Sequence, residues 1–153
     1  MKVKPWLIAT NAIDGTWPAA KHFVEQALAE SSGRINADDV LEQLQSGGMQ
    51  LWMLVAAEGE PEIVAVLVTE IISYPRKTVL DLSLMAGDRM DLWLEALPLL
   101  EQWAFEQGAD QVQIHGRSGW ARVAGLRRKS FENVQGYEPS SVVLLKELEE
   151  SDG

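Results

Sequence analysis

No cysteine occurs in the 153 residues, which excludes disulfides, thiolate metal ligands and a thiol nucleophile together. Positive charge is scarce, with 13 Lys and Arg against 23 Asp and Glu and a net charge of −10. Nonspecific nucleic-acid binding draws its affinity from cations that neutralise phosphates, so no nucleic-acid partner is expected. No apolar run approaches the roughly 20 residues that span a bilayer. The opening MKVKPWLIATNAIDG has too short an apolar stretch for a signal peptide. No membrane association is expected, and a cytoplasmic location is the default. Histidine is almost as rare: His22 and His115 are the only two, and no spacing of ligand types marks a metal site.

What is present is enough apolar side chain, 46% of the sequence, to build one core. A single domain over residues 1–148 is expected, followed by an acidic tail at 149–153. In PAAKHFVEQALAES, Ala20, Phe23, Val24, Ala27 and Leu28 recur at helical spacing. INADDVLEQLQSGG reads as a second, short helix, capped by Asn36, stapled by Ile35 against Val40, and stopped at Gly47. MQLWMLVAAE and EIVAVLVTEIISY, separated by the turn-forming GEPE, read as a hairpin. VLDLSLMA extends it to three antiparallel strands, with Leu80, Leu82 and Leu84 on one face and Asp81 and Ser83 on a wetter one.

That third strand is expected to break at Ala86-Gly87 and restart as a helix near Asp91. A helix start bearing glycine offers unpaired N–H groups to a pyrophosphate, but Asp88 and Asp91 would repel it and are better read as caps. Trp93, Leu97, Leu100 and Ala104 then form a helical stripe that stops at Gly108, with Pro98 a source of a kink. DQVQIHG is a strand with Val112 and Ile114 inward, SGWARVAGLRRKSFENV a helix, and SSVVLLKEL a closing strand.

The order helix, helix, three strands, helix, strand, helix, strand resembles the GNAT superfamily of acetyl-CoA-dependent N-acyltransferases over roughly residues 15–148. LEQWAFEQGADQVQIHGRSGW followed by GYEP and VVLLKEL is most similar to the small GNAT-like proteins of tailed bacteriophages. The resemblance implies an α+β fold with a central mixed, largely antiparallel sheet and helices on both faces. It also implies a cofactor cleft between strands at residues 79–85 and 110–115.

The superfamily's pyrophosphate loop, Gln/Arg-x-x-Gly-x-Gly/Ala, is degenerate here. With Gly87 as the first glycine, Leu84 replaces Gln or Arg and Arg89 replaces the second small residue. The resemblance assigns cofactor contacts to Leu84, Met85, Gly87, Arg89, Arg117 and Arg122, and acetyl-CoA binding is expected to be weak or absent. The tyrosine that commonly protonates the leaving thiolate is missing from the helix after the splayed strand. Tyr137, in GYEP, reads as a packing residue and is a weak substitute for it.

For a base, Glu70 in VLVTEII and His115 at the end of VQIH are the candidates. Asp81 needs no chemistry on an alternating sheet. Arg117, Arg122, Arg127, Arg128 and Lys129 concentrate positive charge, read either as a contact for phosphate or an acidic partner, or as a solvated helix face. A protein partner would meet the Arg117-Trp120-Arg122 region, or Trp6 and Trp17, which lie outside the expected elements. Two functions follow: an N-acyltransferase with a degenerate cofactor loop, or a non-catalytic GNAT-fold phage protein, structural or interacting, located in the host cytoplasm or the virion.

Overall fold

The computed structural model describes residues 3–29, 33–56, 58–87 and 92–114. Asp88, Arg89, Asp91, His115, Arg117, Trp120, Arg122, Arg127, Arg128, Lys129 and Tyr137 therefore lie outside the described residues, as do the expected last helix, last strand and acidic tail.

Within them the strands β1 (Val3–Leu7), β2 (Gln50–Ala56), β3 (Glu62–Ser73), β4 (Thr78–Gly87) and β5 (Gln111–Ile114) form one sheet in the order β1-β2-β3-β4-β5. The pairs β1/β2, β2/β3 and β3/β4 are antiparallel, and β4/β5 is parallel. Helices α1 (Ile13–Leu28) and α2 (Ala37–Ser46) precede β2, and α3 (Trp93–Glu106) makes the crossover from β4 to β5.

Strand alternation sorts the core into two layers. Leu51, Met53 and Val55 of β2 and Val66 and Val68 of β3 pack with Ile13, Trp17, Ala20 and Val24 of α1 and Val40 and Leu44 of α2. Trp52 and Leu54, Ala65 and Leu67, and Leu80 and Leu82 pack on the opposite side with Trp93, Ala96, Leu97, Leu100 and Ala104 of α3. The sheet is thus mixed and largely antiparallel, with helices on both faces, an α+β fold as the element order requires.

Local chemistry fixes the elements. The Asn36 side chain accepts the Asp39 N–H at 2.9 Å, and the Asp39 carboxylate accepts the Asn36 N–H at 3.0 Å. This reciprocal box starts α2, and Gly47 ends it at φ 84°, a left-handed conformation that glycine adopts without steric cost. On the α3 side, the Trp52 indole N–H donates to Thr69 Oγ1 at 3.0 Å, and that hydroxyl donates to Gln50 Oε1 at 2.9 Å. The chain satisfies polar atoms that would otherwise be buried unpaired. Asp110 fixes the parallel register, because its carboxylate accepts the Thr78 N–H while its own N–H donates to the Thr78 carbonyl.

Several expectations need correction. Residues 3–7 form a strand, so Trp6 belongs to a regular element. Pro5 is tolerated because β1 lies at the sheet edge, where a missing ladder donor costs least. Helix α1 begins at Ile13, five residues before the proline that was read as its start, so Trp17 lies inside a helix, 9% exposed and in the core. Of the two tryptophans assigned to a surface patch, only Trp6, 52% exposed, is on the surface.

Strand β4 does not break at Ala86-Gly87. It runs through both, with Gly87 opposite Ala65. Nor does it alternate throughout: Val68 pairs with Leu84 but Thr69 pairs with Leu82, so Ser83 is an extra residue, a β-bulge. The bulge turns Leu84 to the α1/α2 side, away from Leu80 and Leu82, and puts Met85 on the α3 side. Asp81 is on no wet face: it is 4% exposed.

Candidate functional site

The bulge borders a groove of about 300 Å³ on the α1/α2 side of the sheet. Its walls come from the end of α1 (Leu28), the link to α2 (Arg34, Ile35), the approach to β2 (Met49), and the middle of β3 and β4 (Glu70, Ser83, Leu84). Each wall has a local cause. Capping at Asn36 fixes the chain's entry into α2 next to Arg34 and Ile35. The extra residue in β4 places Ser83 and Leu84 side by side on the groove.

Glu70 and Asp81 are cross-strand partners, a spacing of about 4.5–5.5 Å between Cα atoms in an antiparallel pair. Asp81 is buried, and its Oδ2 accepts the Ser83 hydroxyl at 2.7 Å while its Oδ1 accepts the Gln113 amide of β5 at 3.2 Å. One carboxylate thus links β4, its bulge and β5. Glu70 is half-buried at the groove, and its pKa is raised above the ordinary 4.5, first by loss of water and then by the negative charge of Asp81. The pair separates into roles: Asp81 is held by two donors, and Glu70 faces the open space with enhanced basicity.

The residues assigned from sequence divide accordingly. Glu70 and Leu84 meet at the groove. Met85 does not reach it with its side chain, which is 1% exposed in the α3-side core. Gly87 is occupied by a structural demand. A Cβ there would lie 2.5 Å from the Val64 carbonyl oxygen and 2.6 Å from the Ala65 Cα, and its φ is +141°. Its missing side chain lets β3 approach, so the glycine is explained without a phosphate. His115, Arg89, Arg117 and Arg122 lie outside the described residues.

Sequence reasoning missed Arg34, Ser83 and Gln113 as site residues. Arg34 sits in SSGR, which reads only as a helix interruption, and no pattern within β4 announces the bulge that exposes Ser83. Among the described residues no cluster of three or more His, Cys, Asp and Glu could hold a metal ion. His22 is exposed on α1 with its ring against Phe23, 4.1 Å between centroids. A second cavity of about 360 Å³, bordered by Leu7, Ile13, Leu44, Met49 and Trp103, has no ionisable group in its walls and offers no acid–base chemistry.

No protein-family model and no curated protein matches the sequence. Solved structures do match the fold. An aminoglycoside acetyltransferase from an uncultured soil metagenomic sample, in complex with sisomicin, is 14% identical with a TM-score of 0.65, covering 96% of this chain and 97% of that one. A GNAT family acetyltransferase of Staphylococcus aureus is 11% identical with a TM-score of 0.58, covering 97% and 100%. A predicted acetyltransferase of Clostridium acetobutylicum solved with acetyl-CoA is 13% identical with a TM-score of 0.57, covering 92% and 96%. The chain has the GNAT acetyltransferase fold.

Proposed function

We propose that the protein is an N-acetyltransferase that uses the groove at the β4 bulge as its acceptor site and Glu70 as its general base. The observation that carries this reading is Glu70 itself: a carboxyl of raised pKa, on a concave surface, beside a second carboxylate already held by Ser83 and Gln113. Perturbed acids in clefts mark sites of proton transfer.

The thioester end of acetyl-CoA fits the described residues. The bulge places Ser83 outside the regular β3/β4 ladder at the edge of the groove. Ser83 and Leu84 would hold that end, and acetyl-CoA when bound supplies an activated acyl group to an attacking amine. The pyrophosphate end is less well served, because the space beside Gly87 is filled by β3.

Glu70 first attracts the acceptor as an ammonium ion, then removes its proton, directly or through one water, so that a neutral amine can attack. Loss of water, and then the charge of Asp81, raises the basicity of Glu70. Leu28, Ile35, Met49 and Leu84 limit the water around that proton transfer.

The test is acetyl-CoA-dependent release of free thiol with a panel of small amines. Loss of a positioned general base costs about 10²–10⁴-fold, and Glu70→Gln is expected to lose activity in that range with its fold retained. Amine-dependent turnover unchanged in Glu70→Gln would refute the assignment of the base. A wild type without turnover toward any amine would favour a GNAT-fold interaction module.

A further inference from the structure

The groove carries opposite charges that do not satisfy each other. Arg34, exposed, and Glu70, half-buried, both line it, and among the described residues no ion pair joins them. Most of the other lining residues are apolar: Leu28, Ile35, Met49 and Leu84. The guanidinium is charged at all accessible pH values and presents a planar fork that matches a carboxylate or a phosphate. On the sheet, Glu70 is backed by Asp81, its cross-strand partner, so the sheet side of the groove is the negative one, while Arg34 comes from the link between α1 and α2.

We infer that the acceptor is a small amine with an apolar body and an anionic group, its ammonium toward Glu70 and its anion toward Arg34. This rests on the acetyltransferase reading of the same groove. A polyamine would set a second cation against Arg34 and is selected against by charge, while a plain alkylamine leaves the exposed guanidinium to solvent and forgoes its attraction. The volume, about 300 Å³, lies at the low end of the roughly 300–1,000 Å³ of small-molecule sites. It suits a ligand the size of an apolar amino acid.

The test is ligand binding by the full chain, measured by titration with and without CoA, so that it does not depend on turnover. The probes are L-leucine and 6-aminohexanoate, which differ in the spacing of their charges, and the amide of each, which keeps the amine and removes the anion. At least one zwitterion should bind about tenfold tighter than its own amide. Arg34→Ala should erase that preference without weakening the amide, and Arg34→Lys should restore part of it. The inference is overturned if neither zwitterion binds below about 10 mM, if amides bind equally well, or if Arg34→Ala leaves the preference intact. It is also overturned if Arg34→Ala weakens acetyl-CoA binding instead, which would place the guanidinium on a cofactor phosphate. An Arg34-dependent preference in a protein that transfers no acetyl group would support the recognition and defeat only the transferase reading.

Discussion

Glu70 acquires its chemistry from where β3 and β4 pair. Opposite Asp81 and partly out of water, it holds its proton more tightly than a free carboxyl does. A pKa raised in the folded state favours folding while Glu70 is protonated. That contribution is complete below the ordinary value of 4.5 and is lost as pH rises through the raised folded value. Thermal melts across pH should therefore show Glu70→Gln slightly more stable than the wild type at neutral pH, with the difference vanishing below about pH 4.5. Asp81→Asn removes the repelling charge and should move the acid limb of the rate profile to lower pH.

Gly87 makes an independent prediction at the same scale. Its Cβ position is filled by β3 backbone at 2.5–2.6 Å. Gly87→Ala should cost about 2–5 kcal/mol, the combined order of overpacking and backbone strain. Chemical denaturation checks this. A neutral substitution would return the glycine to a purely ligand-binding role.

At the scale of elements, two polar devices hold the scaffold around the groove. Asn36→Ala removes the acceptor that starts α2 and should destabilise the protein by about 1 kcal/mol, within the usual range of about 0.5–2 for such caps. Thr69→Val keeps the shape of the side chain but leaves the buried Trp52 indole N–H without its acceptor. A cost of about 1–3 kcal/mol is expected for that orphaned donor. Denaturant midpoints on the two variants measure both.

The helices were legible from sequence where local chemistry decides them. The Asn36 cap, the Gly47 stop and the Trp93-Leu97-Leu100-Ala104 stripe are all where the sequence puts them. What was illegible depends on a partner strand. Alternation in β4 places Leu84 with Leu80 and Leu82, but the pairing with Val68 and Thr69 inserts Ser83 as an extra residue and reverses Leu84. Edge strand β1 was not anticipated: its five residues include Pro5, which a strand tolerates at an edge, and the edge position is a product of the fold. The base candidate Glu70 was visible as a carboxylate in an apolar strand, whereas its pairing with Asp81 and the approach of Arg34 are products of the fold.

For the whole molecule, a net charge of −10 and a glycine committed to strand packing both work against a polyanionic cofactor. Acetyl-CoA should bind no more tightly than about 1 μM, near −8.2 kcal/mol, as measured by calorimetric titration. In the acetyltransferase proposed above, the groove lined by Glu70 and Arg34 is where an amine would meet the activated acyl group.

The most direct test of that claim is the pH dependence of acetyl-CoA-dependent thiol release, recorded with the same amine for the wild type and for Glu70→Gln. The wild-type rate should fall on the acid side with a midpoint above 4.5, as protonation removes the base. In Glu70→Gln the rate should be lower by about 10²–10⁴-fold and that limb should be gone. An acid limb that survives unchanged in Glu70→Gln would assign the titration to another group and contradict the role given to Glu70.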